Sequence, residues 1–158
     1  MRDTGAAFNW IIDLLETNGI PYQIIGGFAA KAYGATRELW DIDIYVSGKN
    51  FPLICRLASS YTEWGPGHYK DESWDCEFVK LRFNGQQIDI GNADNTRWYD
   101  REAGAWVTER VDFSSSTPVN IMGRDVPVMP KSNLIEYKRK LGRKVDLEDL
   151  EQMPISCP

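Results

Sequence analysis

The stretch Ile24-Ile25-Gly26-Gly27, followed after thirteen residues (Phe28 to Trp40) by Asp41-Ile42-Asp43-Ile44-Tyr45-Val46, decides how the chain is read. The Asp-Ile-Asp-Ile run alternates as a strand. Asp41 and Asp43 go to one face, and Ile42, Ile44 and Val46 to the other. Two like charges side by side repel, and a cation, a wet cleft or a proton must relieve them. A solvated face with two idle acids is the alternative, but the flanking Ile and Val residues argue for a buried strand. Upstream, Gly26-Gly27 stands between an apolar strand and a short helix, where backbone N–H groups can approach an anion. Hard divalent cations take oxygen ligands, and Mg²⁺ sites commonly use one or two carboxylates plus substrate phosphates. A metal site beside a phosphate site is the chemistry of phosphoryl or nucleotidyl transfer.

The rest of the chain supplies candidates for that site. Asp89 lies between Ile88 and Ile90 in the same apolar-acid-apolar pattern, and would face the same cleft if its strand lies beside Asp41–Val46. The alternative for Asp89 is an exposed edge-strand acid, and Asp94 competes from a polar stretch. Arg37, four residues before Asp41, would counter the acids or a phosphate, or else sit on the surface. Lys138-Arg139-Lys140-Leu141-Gly142-Arg143-Lys144 ends a helix, where cations favour the helix dipole. Lys138 is the one expected to reach the phosphates. His68 is the single histidine, so a histidine-based zinc site or serine triad is not expected. Tyr61, Trp64, Tyr69 and Trp74 either stack on a base or acceptor or tack a loop to the core.

Composition bounds the setting. At 158 residues the expectation is one domain over residues 1–152, with 153–158 as a frayed tail. An apolar content of 42% and six tryptophans support a core. No apolar run is long enough for a membrane span, and Met1-Arg2-Asp3-Thr4-Gly5 lacks a signal-peptide pattern. Cys55, Cys76 and Cys157, odd in number and without ligand spacing, suit a reducing compartment, so a cytoplasmic location is expected. A net charge of −5 speaks against gripping long nucleic acid by its backbone and leaves a small nucleotide as the expected partner.

Periodicity predicts a helix over Ala6–Asn18 capped by Thr4, a strand over Tyr22–Ile25, a short helix over Phe28–Tyr33, and the acidic strand over Leu39–Val46. A helix over Phe51–Ser60 and an irregular loop over Tyr61–Trp74 follow. Strands Cys76–Phe83 and Gln87–Ile90 form a hairpin across Asn84-Gly85. Asn92–Glu102 is ambiguous. Pro118–Met122 and Val126–Met129 form a second hairpin around Gly123-Arg124-Asp125. A helix over Ser132–Leu141, capped by Ser132, ends at Gly142, and Asp146 with Asp149 opens a last short helix.

These residues resemble the nucleotidyltransferase superfamily, whose fold is shared with DNA polymerase beta. Its signature is an apolar residue, Gly, then Gly or Ser, a gap of roughly nine to thirteen residues, and Asp-apolar-Asp/Glu-apolar. Asp89 in Gln87-Ile88-Asp89-Ile90 is similar to the family's third carboxylate. The ending Leu134-Ile135-Glu136-Tyr137-Lys138 with Arg143-Lys144-Val145-Asp146-Leu147-Glu148-Asp149-Leu150 is similar to that of small bacterial members. These include lincosamide-type nucleotidyltransferases and AbiEii-like proteins. Leu39 stands where many members carry a small hydroxyl residue, and Val145 intervenes between Lys144 and Asp146.

The resemblance implies an α/β (α+β) fold, a mixed twisted sheet with helices mainly on one face. It implies Asp41, Asp43 and Asp89 as Mg²⁺ or Mn²⁺ ligands and catalytic acids. It implies Gly26, Gly27, Arg37 and Lys138 as nucleotide ligands, with an NTP such as ATP as substrate and an unidentified hydroxyl acceptor. A homodimer or protein partner fits the same fold. The alternatives are a non-catalytic nucleotide-binding or toxin–antitoxin module and a metal-dependent phosphohydrolase.

Overall fold

The computed structural model describes residues 1–153, so Cys157 and the expected frayed tail from residue 154 onward lie outside the described residues. Met153 itself is in the core. An eight-stranded mixed sheet organises the chain. Its strands are β1 (Tyr22–Ile24), β2 (Asp41–Val46), β3 (Thr62–Lys70), β4 (Trp74–Phe83), β5 (Gln86–Asp100), β6 (Ala105–Thr108), β7 (Thr117–Ile121) and β8 (Arg124–Val128). They run in the order β3-β4-β5-β2-β1-β8-β7, with β6 paired to β5. Five helices accompany them among the described residues: α1 (Thr4–Thr17), α2 (Gly26–Ala32), α3 (Phe51–Leu57), α4 (Lys131–Leu141) and α5 (Lys144–Gln152). No helix among the described residues is long and apolar enough to cross a membrane.

The centre of the sheet follows from the apolar alternation. Ile42 and Ile44 on β2, with Ile88 and Ile90 on β5, are fully buried, and removing them from water drives the packing. β2 and β5 pair in parallel, with Ile42 opposite Ile88 and Ile44 opposite Ile90. That register also puts Asp43 opposite Asp89. The β4–β5 hairpin turns at Asn84-Gly85, both with positive φ (46° and 75°), as a two-residue turn of this kind requires.

Several elements differ from the sequence expectations. The N-cap of α1 is Asp3, whose carboxylate accepts the Ala6 N–H, while Thr4 donates to Gln86. Ser132 does not cap α4, which starts at Lys131 after Pro130. α2 begins at Gly26, so the glycines are its first turn rather than a turn before it. α3 ends at Leu57, and a 3₁₀ turn over Ser59–Tyr61 follows. The second β-turn falls on Met122-Gly123, one residue early.

The segment expected as a loop, Tyr61–Trp74, is mostly β3, an edge strand with register shifts near Gly65-Pro66-Gly67. Edge strands pair on one side only and tolerate such interruptions, which is why the alternation was not visible. The ambiguous Asn92–Glu102 stretch is largely β5 continuing past an irregularity between Gly91 and Thr96. There Thr96 Oγ1 donates to the Asn92 carbonyl (2.7 Å).

Candidate active site

Asp41, Asp43 and Asp89 converge. Each offers a carboxylate oxygen, and these oxygens lie within 4.8 Å of one another. At that spacing each pair of charges repels by about 3 kcal/mol at an effective dielectric of about 20. The geometry therefore demands a proton or a cation. Burial, followed by the charges of Asp41 and Asp89, holds the Asp43 carboxyl well above the usual range. Burial, then Asp41, pushes Asp89 up to about 7, against the Gln87 amide that donates to both its oxygens (3.1 and 3.2 Å). Three carboxylate oxygens this close, with no positive side chain of the described residues between them, fit a hard divalent cation.

The acids sit in a cleft of about 330 Å³. On one side stand Gly26 and Gly27. Gly26 has φ +63°, and a Cβ there would lie 2.7 Å from Asp43 Oδ2; only glycine supplies both the conformation and the room. The neighbouring Ile25 N–H donates to the Asp43 carbonyl (3.0 Å), which stitches α2's entry to β2. The first intrahelical bond of α2 is Ala29 N–H to Ile25 C=O, so Gly26, Gly27 and Phe28 N–H have no helical acceptor.

Arg37 crosses over Gly27, with Nη2 2.7 Å from where a Cβ would be, and lines the cleft. It donates through Nε and Nη2 to Asp149 (2.7 and 3.0 Å). The opposite wall comes from β3 and β4: Tyr69, Trp74, Cys76, Glu77 and Phe78. Of the four aromatic residues singled out in the sequence, Tyr69 and Trp74 line the cleft. Trp64 packs on Phe78, and Tyr61 on Trp10 and Phe83. A second hollow of about 420 Å³ shares Tyr137 with the cleft but holds none of the three acids.

Lys138 is not where the sequence reading put it. Its ammonium does not line the cleft. It is fully buried and paired with Asp149 (3.0 Å) and Asp146 (3.3 Å). The side chain starts on the buried face of α4, and α5 brings two carboxylates onto it before it can reach the cleft. Arg143 instead faces the cleft, with its guanidinium 5.5 Å from the Trp74 ring centre and bonded to Asp146. Arg143 was missed because it read as one more cation at a helix end. The signal that could have found it is the Arg-x-x-Asp-x-x-Asp spacing from 143 to 149, one face of a helix. Asp94 accepts the Gly48 N–H and takes no part in the triad, and His68 pairs with Asp75 away from the cleft.

The profile of the aminoglycoside-2''-adenylyltransferase family matches residues 8–153. No curated protein matches the chain. Among solved structures, a protein from Thermotoga maritima described as a nucleotidyltransferase is 23% identical, with TM-score 0.72, covering 92% of this chain and 89% of its own. The lincosamide antibiotic adenylyltransferase LnuA, bound to lincomycin, is 17% identical, with TM-score 0.63, covering 97% and 98%. ANT(2'')-Ia, in complex with adenylyl-2''-tobramycin, is 18% identical, with TM-score 0.60, covering 93% and 85%. These likenesses agree with the fold, and the profile match spans nearly the whole chain. The chain belongs to the aminoglycoside-2''-adenylyltransferase family and is a nucleotidyltransferase.

Proposed function

We propose that this protein transfers the adenylyl group of ATP to a hydroxyl of a small, antibiotic-class acceptor. The observation that carries the reading is the convergence of Asp41, Asp43 and Asp89 in a cleft flanked by the α2 glycine turn. The family match supports it, as do two neighbours whose structures hold lincomycin and an adenylylated tobramycin.

Asp41, Asp43 and Asp89 would hold Mg²⁺, which when bound neutralises phosphate charge and favours the ionised acids. The free N–H groups of Gly26 and Gly27, with Arg37 above them, face the phosphates. The acceptor lies against Tyr69, Trp74 and Phe78, whose faces suit a sugar or ring, and Glu77 offers a carboxylate to an amino or hydroxyl substituent. The acceptor hydroxyl loses its proton to Asp89 and attacks the α-phosphorus. The new O–P bond forms as the bond to pyrophosphate breaks, and pyrophosphate leaves with the electron pair.

The test is incubation with Mg²⁺ and each NTP in turn, with and without tobramycin, lincomycin and other hydroxyl compounds. Pyrophosphate release and adduct mass are followed. Acceptor-dependent release with ATP is expected, lost in Asp43→Asn and Asp89→Asn. Free AMP without an adduct would instead mark a phosphohydrolase, and nucleotide binding with no release would mark a binding module. Unchanged turnover in the Asp41→Asn and Asp43→Asn variants overturns the assignment of the site.

A further inference from the structure

Five charged side chains run behind the cleft in alternating sign: Arg37, Asp149, Lys138, Asp146, Arg143. The middle three are fully buried, and the two arginines at the ends reach the cleft. Asp146 and Asp149 are three residues apart on α5, so both face the same point on α4, and Lys138 stands there. Each arginine spends the same edge on the network. Arg37 donates through Nε and Nη2 to Asp149, and Arg143 through Nε and Nη2 to Asp146. Among the described residues neither Nη1 has a hydrogen-bond partner. Three cations against two anions leave one net positive charge beside three clustered acids.

We propose that Lys138 is a positioning residue whose buried ammonium joins Asp146 to Asp149 and so sets Arg37 and Arg143 as a two-point clamp on the pyrophosphoryl end of the nucleotide. This rests on the nucleotide reading of the cleft. A bidentate carboxylate fixes a guanidinium plane, and the free edge then meets an anion with little further ordering. Without Lys138, the two carboxylates repel across the gap it now fills, and both arginines lose their common reference. Lys138 thus acts on the nucleotide through Arg37 and Arg143 without touching it. Gly27 leaves room for Arg37, and Trp74 braces Arg143 from the β4 side.

The experiment titrates Mg²⁺–pyrophosphate and Mg²⁺–ATP into the intact protein by calorimetry, with folding checked by circular dichroism. It compares wild type, Arg37→Met, Arg143→Met, Lys138→Met and the double variant Lys138→Met/Arg37→Met. Each arginine variant is expected to bind pyrophosphate roughly tenfold or more weakly, the scale of a lost charge-assisted pair. Lys138→Met is expected to weaken binding comparably while folded, and to raise KM for ATP more than it lowers kcat. The double variant should be weaker than either single variant by less than the product of their effects, because Lys138 acts through Arg37.

A folded Lys138→Met protein with wild-type pyrophosphate affinity overturns the positioning role, and so do effects that multiply fully. Should Lys138→Met not fold, Lys138→Met/Asp149→Leu removes the opposite buried charge as well, leaving Asp146 with Arg143 and Arg37 without its carboxylate at the cleft. It is expected to bind as weakly as Arg37→Met, and wild-type affinity in it overturns the proposal. Wild-type protein that binds neither pyrophosphate nor ATP overturns the nucleotide reading together with the clamp.

Discussion

A Cβ on Gly26 would stand 2.7 Å from the Asp43 carboxylate in a backbone conformation that side chains rarely adopt. Gly26→Ala therefore carries two penalties at once, left-handed strain and displacement of an active-site acid. We expect it to cost about 1–3 kcal/mol in urea unfolding and to depress turnover with the fold retained.

The acids make a second prediction. Asp43 and Asp89 are both raised above their ordinary range in the folded chain, so above the usual carboxylate value the folded chain takes up protons that the unfolded chain does not. The folded state then binds more protons, so the contribution of these groups to stability falls as pH rises from about 4, the usual carboxylate value, through about 7 for Asp89. Without metal, Asp89→Asn should melt higher than wild type at pH 8, with the gap closing as pH falls toward 4. Thermal melts across pH check this, and a gap that widens toward pH 4 contradicts it. Mg²⁺ should narrow the gap at pH 8 by stabilising only the wild type.

At the level of elements, α5 looks on sequence like a minor polar ending, yet it supplies the counter-ions for Lys138 and Arg37. Removing Asp149 leaves the buried Lys138 ammonium with Asp146 alone and Arg37 with no carboxylate. Asp149→Ala is expected to cost about 3–5 kcal/mol by denaturant midpoint, far more than an exposed Asp would. A loss below about 1 kcal/mol would mean the network is solvated and weak. β3 shows the opposite case. Its Gly-Pro-Gly interruption reads as a loop, but main-chain pairing with β4 keeps it a strand, and this carries Tyr69 to the cleft.

Across the whole molecule, the acid cluster sits at the junction of the parallel β2–β5 pair with α2, so ligation there should be felt globally. If Mg²⁺ binds the folded chain alone, a concentration about 100-fold above its dissociation constant adds about 2.7 kcal/mol. Calorimetric melts with and without Mg²⁺ should show this shift in wild type and not in a variant carrying both Asp41→Asn and Asp43→Asn. The net charge of −5 leads to a companion expectation. A single-stranded oligonucleotide should show no appreciable anisotropy change with the protein at physiological salt.

The Gly26-Gly27 to Asp41-x-Asp43 spacing, the Ile88-Asp89-Ile90 pattern and the Asn84-Gly85 turn were legible in the chain because each is a local rule. Strand alternation chooses the face of a side chain, and glycine chooses positive φ, before any long-range contact exists. From these the acids and the glycine turn could be named. The register that sets Asp43 against Asp89 could only be conditional, since residues 46 positions apart meet through packing of Ile42 and Ile44 beside Ile88 and Ile90. The cations depended on folding altogether. Lys138 and Arg143 are both basic residues at a helix end, and their chemistry differs by where α4 and α5 dock. One is desolvated and must be neutralised on the spot, and the other stays at the cleft and keeps a donor free. Charge type is written in the residue, but the dielectric and the partners around it are made by the packed molecule.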